Sequence, residues 1–296
     1  MIDPEQVLSG ESGIVEGPRR RALGTIRDRA DDAAAWLSLS PSRIDAAARR
    51  APRRHVHVFG VYAPDGAAGI ARSVAELRGS RHDVEIVLGA LGPRAPELEQ
   101  ETRLERLAGQ GKFENLNALL AAAPAPGADW VIALDDDASL PRRFLDRFLF
   151  LSERFGLQLA QPALRHTSHA AWRVVRRARW SLARRTRLVE IGPVTAFHRS
   201  LAGELLPFPD VRMGWGLDAH WGGLALEHGW RLGVVDATPV RHDTRRTASG
   251  YDREAAIAEL TGFLQDRPHI DRTTANEVVE RYRSLGPGGE NDGPDH

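Results

Sequence analysis

Three consecutive carboxylates, Asp135, Asp136 and Asp137, follow the apolar run Trp130-Val131-Ile132-Ala133-Leu134. Such a run, with β-branched and aromatic residues in it, reads as a buried strand and sets the aspartates at the rim of a sheet. Side chains of an extended segment alternate between faces, so Asp135 and Asp137 point one way and Asp136 the other. Two carboxylates converging on one point repel each other unless a cation lies between them. Oxygen donors in that arrangement suit a hard divalent ion, Mn2+ or Mg2+. The bland alternative is that one aspartate caps the following helix while the others are solvated.

The elements around the aspartates set the fold class. A first strand, His55–Tyr62, leads through a Pro64-Asp65-Gly66 turn to a helical stretch from Ile70 to Leu77. A second strand, Val84–Leu88, follows, then helical patterns over Glu97–Leu107 and Phe113–Ala122. Alternating strands and helices predict an α/β protein, with a mainly parallel mixed sheet covered by helices on both faces and ligands beyond the carboxyl ends of its strands. Later come an amphipathic helix through Phe144, Phe148 and Leu151, a return to the sheet at Leu157–Gln161, and regular structure at Leu188–Val194. From Leu217 the apolar positions Trp221, Leu224 and Ala225 predict a helix that Gly229 ends with a left-handed cap. Trp230–Asp236 and Pro239–His242 read as two short strands.

The expected organisation is an N-terminal helical extension over residues 1–52, a catalytic domain over 53–250 and a C-terminal helical extension over 251–296. The first reads as an appendage, and the last ends in a tail, from about Gly286, too polar to pack. A formal net charge of +0 gives no global pull toward nucleic acid. With no cysteine, thiolate metal sites, disulfides and cysteine nucleophiles are excluded. Asp3 and Glu5 precede any apolar run and no run is long enough to span a bilayer, so the expectation is a cytoplasmic protein. Lys112 is the single lysine, a bias of the kind seen in high-GC bacterial genes. Seven arginines lie between Arg173 and Arg187, with apolar residues Trp172, Val175, Ala178 and Leu182 at roughly helical spacing. This segment is either a solvated face or a surface for an acceptor phosphate or a membrane, in which case the protein sits peripherally on the inner membrane face.

Taken in order, a strand ending in Tyr62, the stretch Gly111-Lys112-Phe113-Glu114-Asn115-Leu116-Asn117-Ala118-Leu119, the strand with Asp135-Asp136-Asp137, and the loop Gly214-Trp215-Gly216-Leu217-Asp218 resemble the GT-A glycosyltransferases of the family 2 type. The resemblance covers residues 53 to 250. Its later part, from Gln161-Pro162 through Leu188–Val194 to Val234-Val235-Asp236, is also similar to a little-characterised family, known mainly from plants, with a domain of unknown function.

The resemblance implies a Rossmann-like GT-A sheet and transfer of a sugar from a nucleotide-sugar donor to a saccharide or glycoconjugate. It sets Asp135 near the ribose and Asp137 on the metal, with His242 as a third metal or phosphate contact. Lys112, at a helix start, and Asn115 fall on the donor side, where backbone N–H groups favour phosphate. Lys112 as a solvated side chain and His242 as a structural one are the alternatives. Asp218 is implied as the base that takes the acceptor's proton in an inverting transfer; otherwise it only favours a helix N-terminus. Trp215 offers an apolar surface to a sugar ring, and Tyr62 either stacks on the base or packs. The chain departs from the family where Leu88-Gly89-Ala90 replaces an expected base-reading Asp, leaving Arg94 or Glu97 to supply that contact.

Two other functions compete. A nucleotidyltransferase shares the sheet and the metal but carries a basic Gly-rich signature after the first strand, and Ala63-Pro64-Asp65-Gly66-Ala67-Ala68-Gly69 has no Lys or Arg. A non-catalytic nucleotide-sugar or glycan-binding module is the other; the retained carboxylates count against it.

Overall fold

The structure, a computed structural model, describes residues 2–9, 18–38, 40–242 and 253–286. Helices α1 (Pro4–Val7), α2 (Pro18–Leu37) and α3 (Ser40–Ala48) precede the sheet. Strand β1 (His55–Tyr62) is buried at consecutive positions from Val56 to Gly60, His57 included, so both faces are covered. Helix α4 (Ala67–Arg78) crosses to β2 (Asp83–Ala90), and β3 (Thr102–Leu104) lies beside it. Helix α5 (Lys112–Ala122) returns the chain to β4 (Trp130–Leu134), which pairs parallel with β1. A two-residue strand β5 (Ala138–Ser139) and helix α6 (Phe144–Arg154) follow.

The second half inserts antiparallel strands. Strands β6 (Leu159–Leu164), β7 (Ala183–Thr186) and β8 (Val194–His198) lead to helices α7 (Arg199–Leu205) and α8 (Leu217–His228), then to β9 (Leu232–His242). Helices α9 (Arg253–Leu264) and α10 (Arg272–Ala275) precede the last described strand, β10 (Val278–Tyr282). The sheet order is β10-β7-β9-β6-β8-β4-β1-β2-β3. Pairing is parallel for β1/β2, β1/β4, β2/β3 and β6/β9, and antiparallel for β4/β8, β6/β8, β7/β9 and β10/β7. The predicted mixed α/β sheet is therefore present, but it is not mainly parallel: with β5 pairing antiparallel to β9, antiparallel pairs number five against four, because the second half of the chain inserts β7 and β8 between parallel strands. Among the described residues no helix is long and apolar enough to cross a membrane.

Several elements differ from the sequence reading. Residues 97–107 hold only the short turn Pro96–Leu98 and β3, because Leu88 N–H takes the Glu101 carbonyl and draws the chain onto the sheet edge. The strand expected over Leu188–Val194 begins only at Val194, after a bend through Gly192 and Pro193. The two short strands expected after Trp230 are one, β9. Its register against β6 shifts between Pro162 and Leu164, which gives Pro239 a bulge to occupy. Strand β10, unread in the sequence, pairs with β7, and the tail expected from Gly286 lies outside the described residues save for that glycine.

The arginine-rich stretch is neither a helix nor a free cationic surface. Arg177 bonds Asp32 at 2.6 Å and Arg179 bonds Asp31 at 2.5 Å, both on α2. Arg184, 4% exposed, holds Asp236 through two bonds of 2.8 and 2.9 Å, and Arg176 donates to the Ser168 carbonyl at 3.2 Å. These four side chains stitch α2 and the loops to the sheet. Arg176, Arg177, Arg179 and Arg184 are thus engaged within the protein, which leaves Arg173, Arg185 and Arg187 as the arginines of the stretch outside that stitching.

Candidate active site

The strand alternation expected of the three aspartates does not apply, because β4 ends at Leu134 and the chain turns through Asp136 and Asp137, closed by a 3.3 Å bond from the Ala138 N–H to the Asp135 carbonyl. Asp136 turns away and accepts the Ala63 N–H at 2.8 Å, tying the end of β1 to this corner. Asp135 and Asp137 gather on the other side with His242, which the β5–β9 pairing sets in register with Ala138. One ligand atom from each of the three lies within 4.8 Å of the others, and His242 Nε2 is 3.2 Å from Asp137 Oδ2. Burial pushes the Asp137 pKa up, but the hydrogen bond and charge of His242, with Lys112 nearby, outweigh it and leave the carboxyl below its usual range. Burial pushes His242 down; the Asp137 bond and the charges of Asp137, Asp135 and Glu190 outweigh it and raise that imidazole's pKa. Two carboxylates and one imidazole form a donor set that fits Mn2+ or Mg2+.

Lys112 begins α5 and its Nζ reaches the Asp135 carboxylate at 2.7 and 2.9 Å and the Ile191 carbonyl at 3.3 Å. Its charge offsets the repulsion between Asp135 and Asp137. Gly192 makes room for this cluster: a Cβ there would lie 2.7 Å from Asp135 Oδ2 and 3.3 Å from Lys112 Nζ.

Asp218 sits in the first turn of α8, 9% exposed. Its Oδ1 accepts the Ala219 N–H at 2.9 Å and its Oδ2 accepts the indole N–H of Trp172 at 2.7 Å. Burial raises its pKa, opposed by those two bonds. The loop before it is pinned from the C-terminal side, where Glu259 of α9 accepts the N–H groups of Arg212, Met213 and Gly214 at 2.8 to 2.9 Å. Gly214, at φ +76°, lies against the Phe113 ring where a Cβ would collide. A cavity of about 300 Å³ is lined by Lys112, Asp135, Glu190, Trp215, Asp218 and His242.

No family model matches the chain, and no curated protein sequence does. Solved structures do match. The mannosyltransferase PcManGT from Pyrobaculum calidifontis, in complex with GDP-Man and Mn2+, aligns with a TM-score of 0.51 at 18% identity, over 84% of this chain and 77% of that one. This chain has the GT-A fold. GalNAc-T7 with UDP, GalNAc and Mn2+ aligns at 13% identity and a TM-score of 0.49, over 67% of this chain and 45% of that one. This chain thus spans less than half the length of GalNAc-T7.

Two residues expected to contact the donor, Tyr62 and Asn115, do not line this cavity. Tyr62 is 1% exposed; its hydroxyl meets Thr102 Oγ1 at 2.9 Å and accepts the Ala95 N–H at 3.0 Å. With both ring faces buried it has no surface to stack on a base, so the packing alternative holds. Asn115, also 1% exposed, donates to the Leu107 carbonyl at 3.3 Å and supports the loop before α5.

Five residues that line the cavity, Trp172, Glu190, Val7, Leu8 and Ser9, are not among the candidates the sequence offers. Trp172 was read as part of an arginine helix, and nothing local marks it as a partner of Asp218. Glu190 did carry a signal, as the lone charge in Leu188-Val189-Glu190-Ile191. It is 8% exposed; Oε1 accepts the Ala171 N–H at 3.2 Å, and Oε2 is buried without a hydrogen-bond partner among the described residues. Burial, with the nearby charge of Asp218, pushes its pKa up to about 7. Val7, Leu8 and Ser9, from the segment read as an appendage, also line the cavity.

Proposed function

We propose that this protein is a metal-dependent glycosyltransferase that moves a sugar from a nucleotide-sugar donor, with inversion, to a hydroxyl of a saccharide or glycoconjugate. The observation that carries the reading is one cavity at the strand ends lined both by members of a cation-binding cluster, Asp135 and His242, and by a buried carboxylate, Asp218, from another element. The GDP-Man and Mn2+ held by the similarly folded mannosyltransferase support the donor class.

In the proposed reaction the acceptor oxygen bonds to the anomeric carbon as the bond from that carbon to the diphosphate breaks. The acceptor proton goes to Asp218 and the negative charge to the departing diphosphate. A divalent ion at Asp135, Asp137 and His242 would supply Lewis-acid stabilisation of that charge. Asp135, besides its place in that ion's donor set, is assigned to the donor's ribose side. Lys112 brings a positive charge to the same corner and favours the phosphates. Burial suits Asp218 to its task by raising its proton affinity toward the working pH. The Trp172 and Ala219 hydrogen bonds fix the direction of the carboxyl, and Trp215 gives the sugar ring an apolar wall.

The test is release of nucleoside diphosphate from a panel of UDP- and GDP-sugars, with saccharide acceptors, in Mn2+ and then in chelator. Metal-dependent release from at least one donor is expected. Binding of a nucleotide sugar without release from any donor would favour a binding module, and release of pyrophosphate from a nucleoside triphosphate would favour a nucleotidyltransferase.

A further inference from the structure

Helix α2 is amphipathic with its faces reversed. The side toward the protein is acidic: Asp28 and Asp31 are 6% and 4% exposed. Asp28 accepts the His166 and Thr167 N–H groups and the Thr167 hydroxyl at 2.9, 3.2 and 2.8 Å. Asp31 meets His166 Nε2 at 3.0 Å and Arg179 at 2.5 Å, and Asp32 takes Arg165 at 2.9 Å and Arg177 at 2.6 Å. The side toward solvent is apolar. Leu23, Ile26, Ala30, Ala33 and Leu37 recur three and four residues apart and form one exposed stripe, with Trp36 beside it. Ile26, Trp36 and Leu37 are 64%, 72% and 71% exposed, and together with Trp180 at 61% they are the most exposed large apolar side chains among the described residues. Contiguous apolar surface of this kind marks an interaction site.

Two further observations say what covers it. Trp180 has φ +58°, a left-handed backbone that bulky residues adopt only at a cost, and it lines the same cleft as Ala34 and Ala35 of α2 and Ser38 just beyond it. The backbone there is held in a disfavoured conformation that leaves an indole in solvent beside the helix. The charge of the helix is also sorted. Asp28 and Asp31 are turned inward and Asp32 is matched by two arginines, whereas Arg27 and Arg29 are exposed and flank the apolar stripe. What faces outward is apolar and cationic, with tryptophans at its margin, which is the composition of helices that lie in a bilayer interface. A second copy of the helix fits less well. Ala30 is midway along the stripe, so a two-fold pairing would bring Arg27 and Arg29 of both copies together.

We infer that α2, with Trp180, is a docking face for a bilayer surface containing anionic lipid headgroups, reached by the helix lying flat with Leu23, Ile26 and Leu37 toward the acyl chains. Arg27 and Arg29 meet the headgroups. This face does not depend on the glycosyltransferase reading.

The experiment is co-sedimentation of the full chain with vesicles of phosphatidylglycerol and phosphatidylcholine, and with phosphatidylcholine alone, at low and high salt. Binding to the anionic vesicles is expected, weakened by salt and by omitting phosphatidylglycerol. Ile26→Ser combined with Leu37→Ser should weaken it at least about tenfold, as should Trp36→Ser with Trp180→Ser. These side chains are exposed, so the melting temperature should hold within a few degrees, which separates lost docking from lost folding. No binding to anionic vesicles, or binding indifferent to both double variants, overturns the inference. A dimer in vesicle-free solution that the Ile26/Leu37 variant dissociates also overturns it, and assigns the face to a second copy.

Discussion

The indole Nε1 of Trp172 donates a 2.7 Å hydrogen bond to Oδ2 of Asp218, while the Ala219 N–H holds Oδ1 at 2.9 Å. The proposed base is therefore oriented by a residue from the loop after β6 as well as by its own helix. Burial raises the Asp218 pKa and the Trp172 bond holds it back, so Trp172→Phe should raise it further. The acidic limb of the kcat/KM profile should move to higher pH, with a stability loss of about 1–3 kcal/mol for the lost bond to a buried carboxyl. An acidic limb that stays in place would show that another group titrates there.

Glu190 gives a stability signature with a defined sign. Its pKa is raised from 4.5 to about 7 in the folded protein, so between those values the folded state holds a proton that the unfolded state has lost. Stability should fall as pH rises through that window, by about 3 kcal/mol in all. Glu190→Gln removes the titration. The melting temperature of the variant relative to the parent should climb from pH 4.5 to 7 and level off above it. A constant difference across the range would mean that Glu190 is ionised in the folded state throughout.

The Arg184–Asp236 pair tests whether the arginine run is structural. Both side chains are buried, at 4% and 0% exposed, so Arg184→Ala leaves an uncompensated carboxylate and should cost about 3–5 kcal/mol. Arg173, exposed and on the same stretch, should change stability by less than about 0.5 kcal/mol when replaced by Ala. Equal effects in urea unfolding would contradict the assignment.

The contrast between these arginines shows where sequence reading stops. Asp135 and Asp137 are legible as carboxylates just past a buried strand because that burial is a local property, although a turn and not strand period brings them together, and the helix ending at Gly229 is legible because its cap is local. Asp28, Asp31 and Asp32 stand on one helix in plain view, but their partners, the His166–Thr167 turn for Asp28 and arginines for Asp31 and Asp32, are more than a hundred residues away and no periodicity links them. Tyr62 was ambiguous because a strand end can be open or covered, and the turn at Pro96–Leu98 with Thr102 covers it. Trp172 and Glu190 reach the site through loops whose path depends on the whole sheet.

The cation cluster makes a simple prediction. Asp137→Ala should abolish the Mn2+-dependent part of the thermal shift given by nucleoside diphosphates, because a ligand binding only the folded state raises its stability by mass action. The remaining fold should stand, since Asp137 lies at a strand rim outside the apolar core. Shifts of equal size with Mn2+ and with chelator in the parent protein would remove the metal from the account.

The most direct test of the proposed function is the single-turnover rate of Asp218→Asn, with donor affinity and melting temperature measured on the same preparation. Asparagine keeps the shape and loses the base. Turnover should fall by about 10²–10⁴, or about 3–5 kcal/mol of transition-state stabilisation, with metal-dependent donor binding intact. Undiminished turnover with only a small loss of stability, about 1 kcal/mol or less, would reduce Asp218 to a helix-terminus residue and contradict the account.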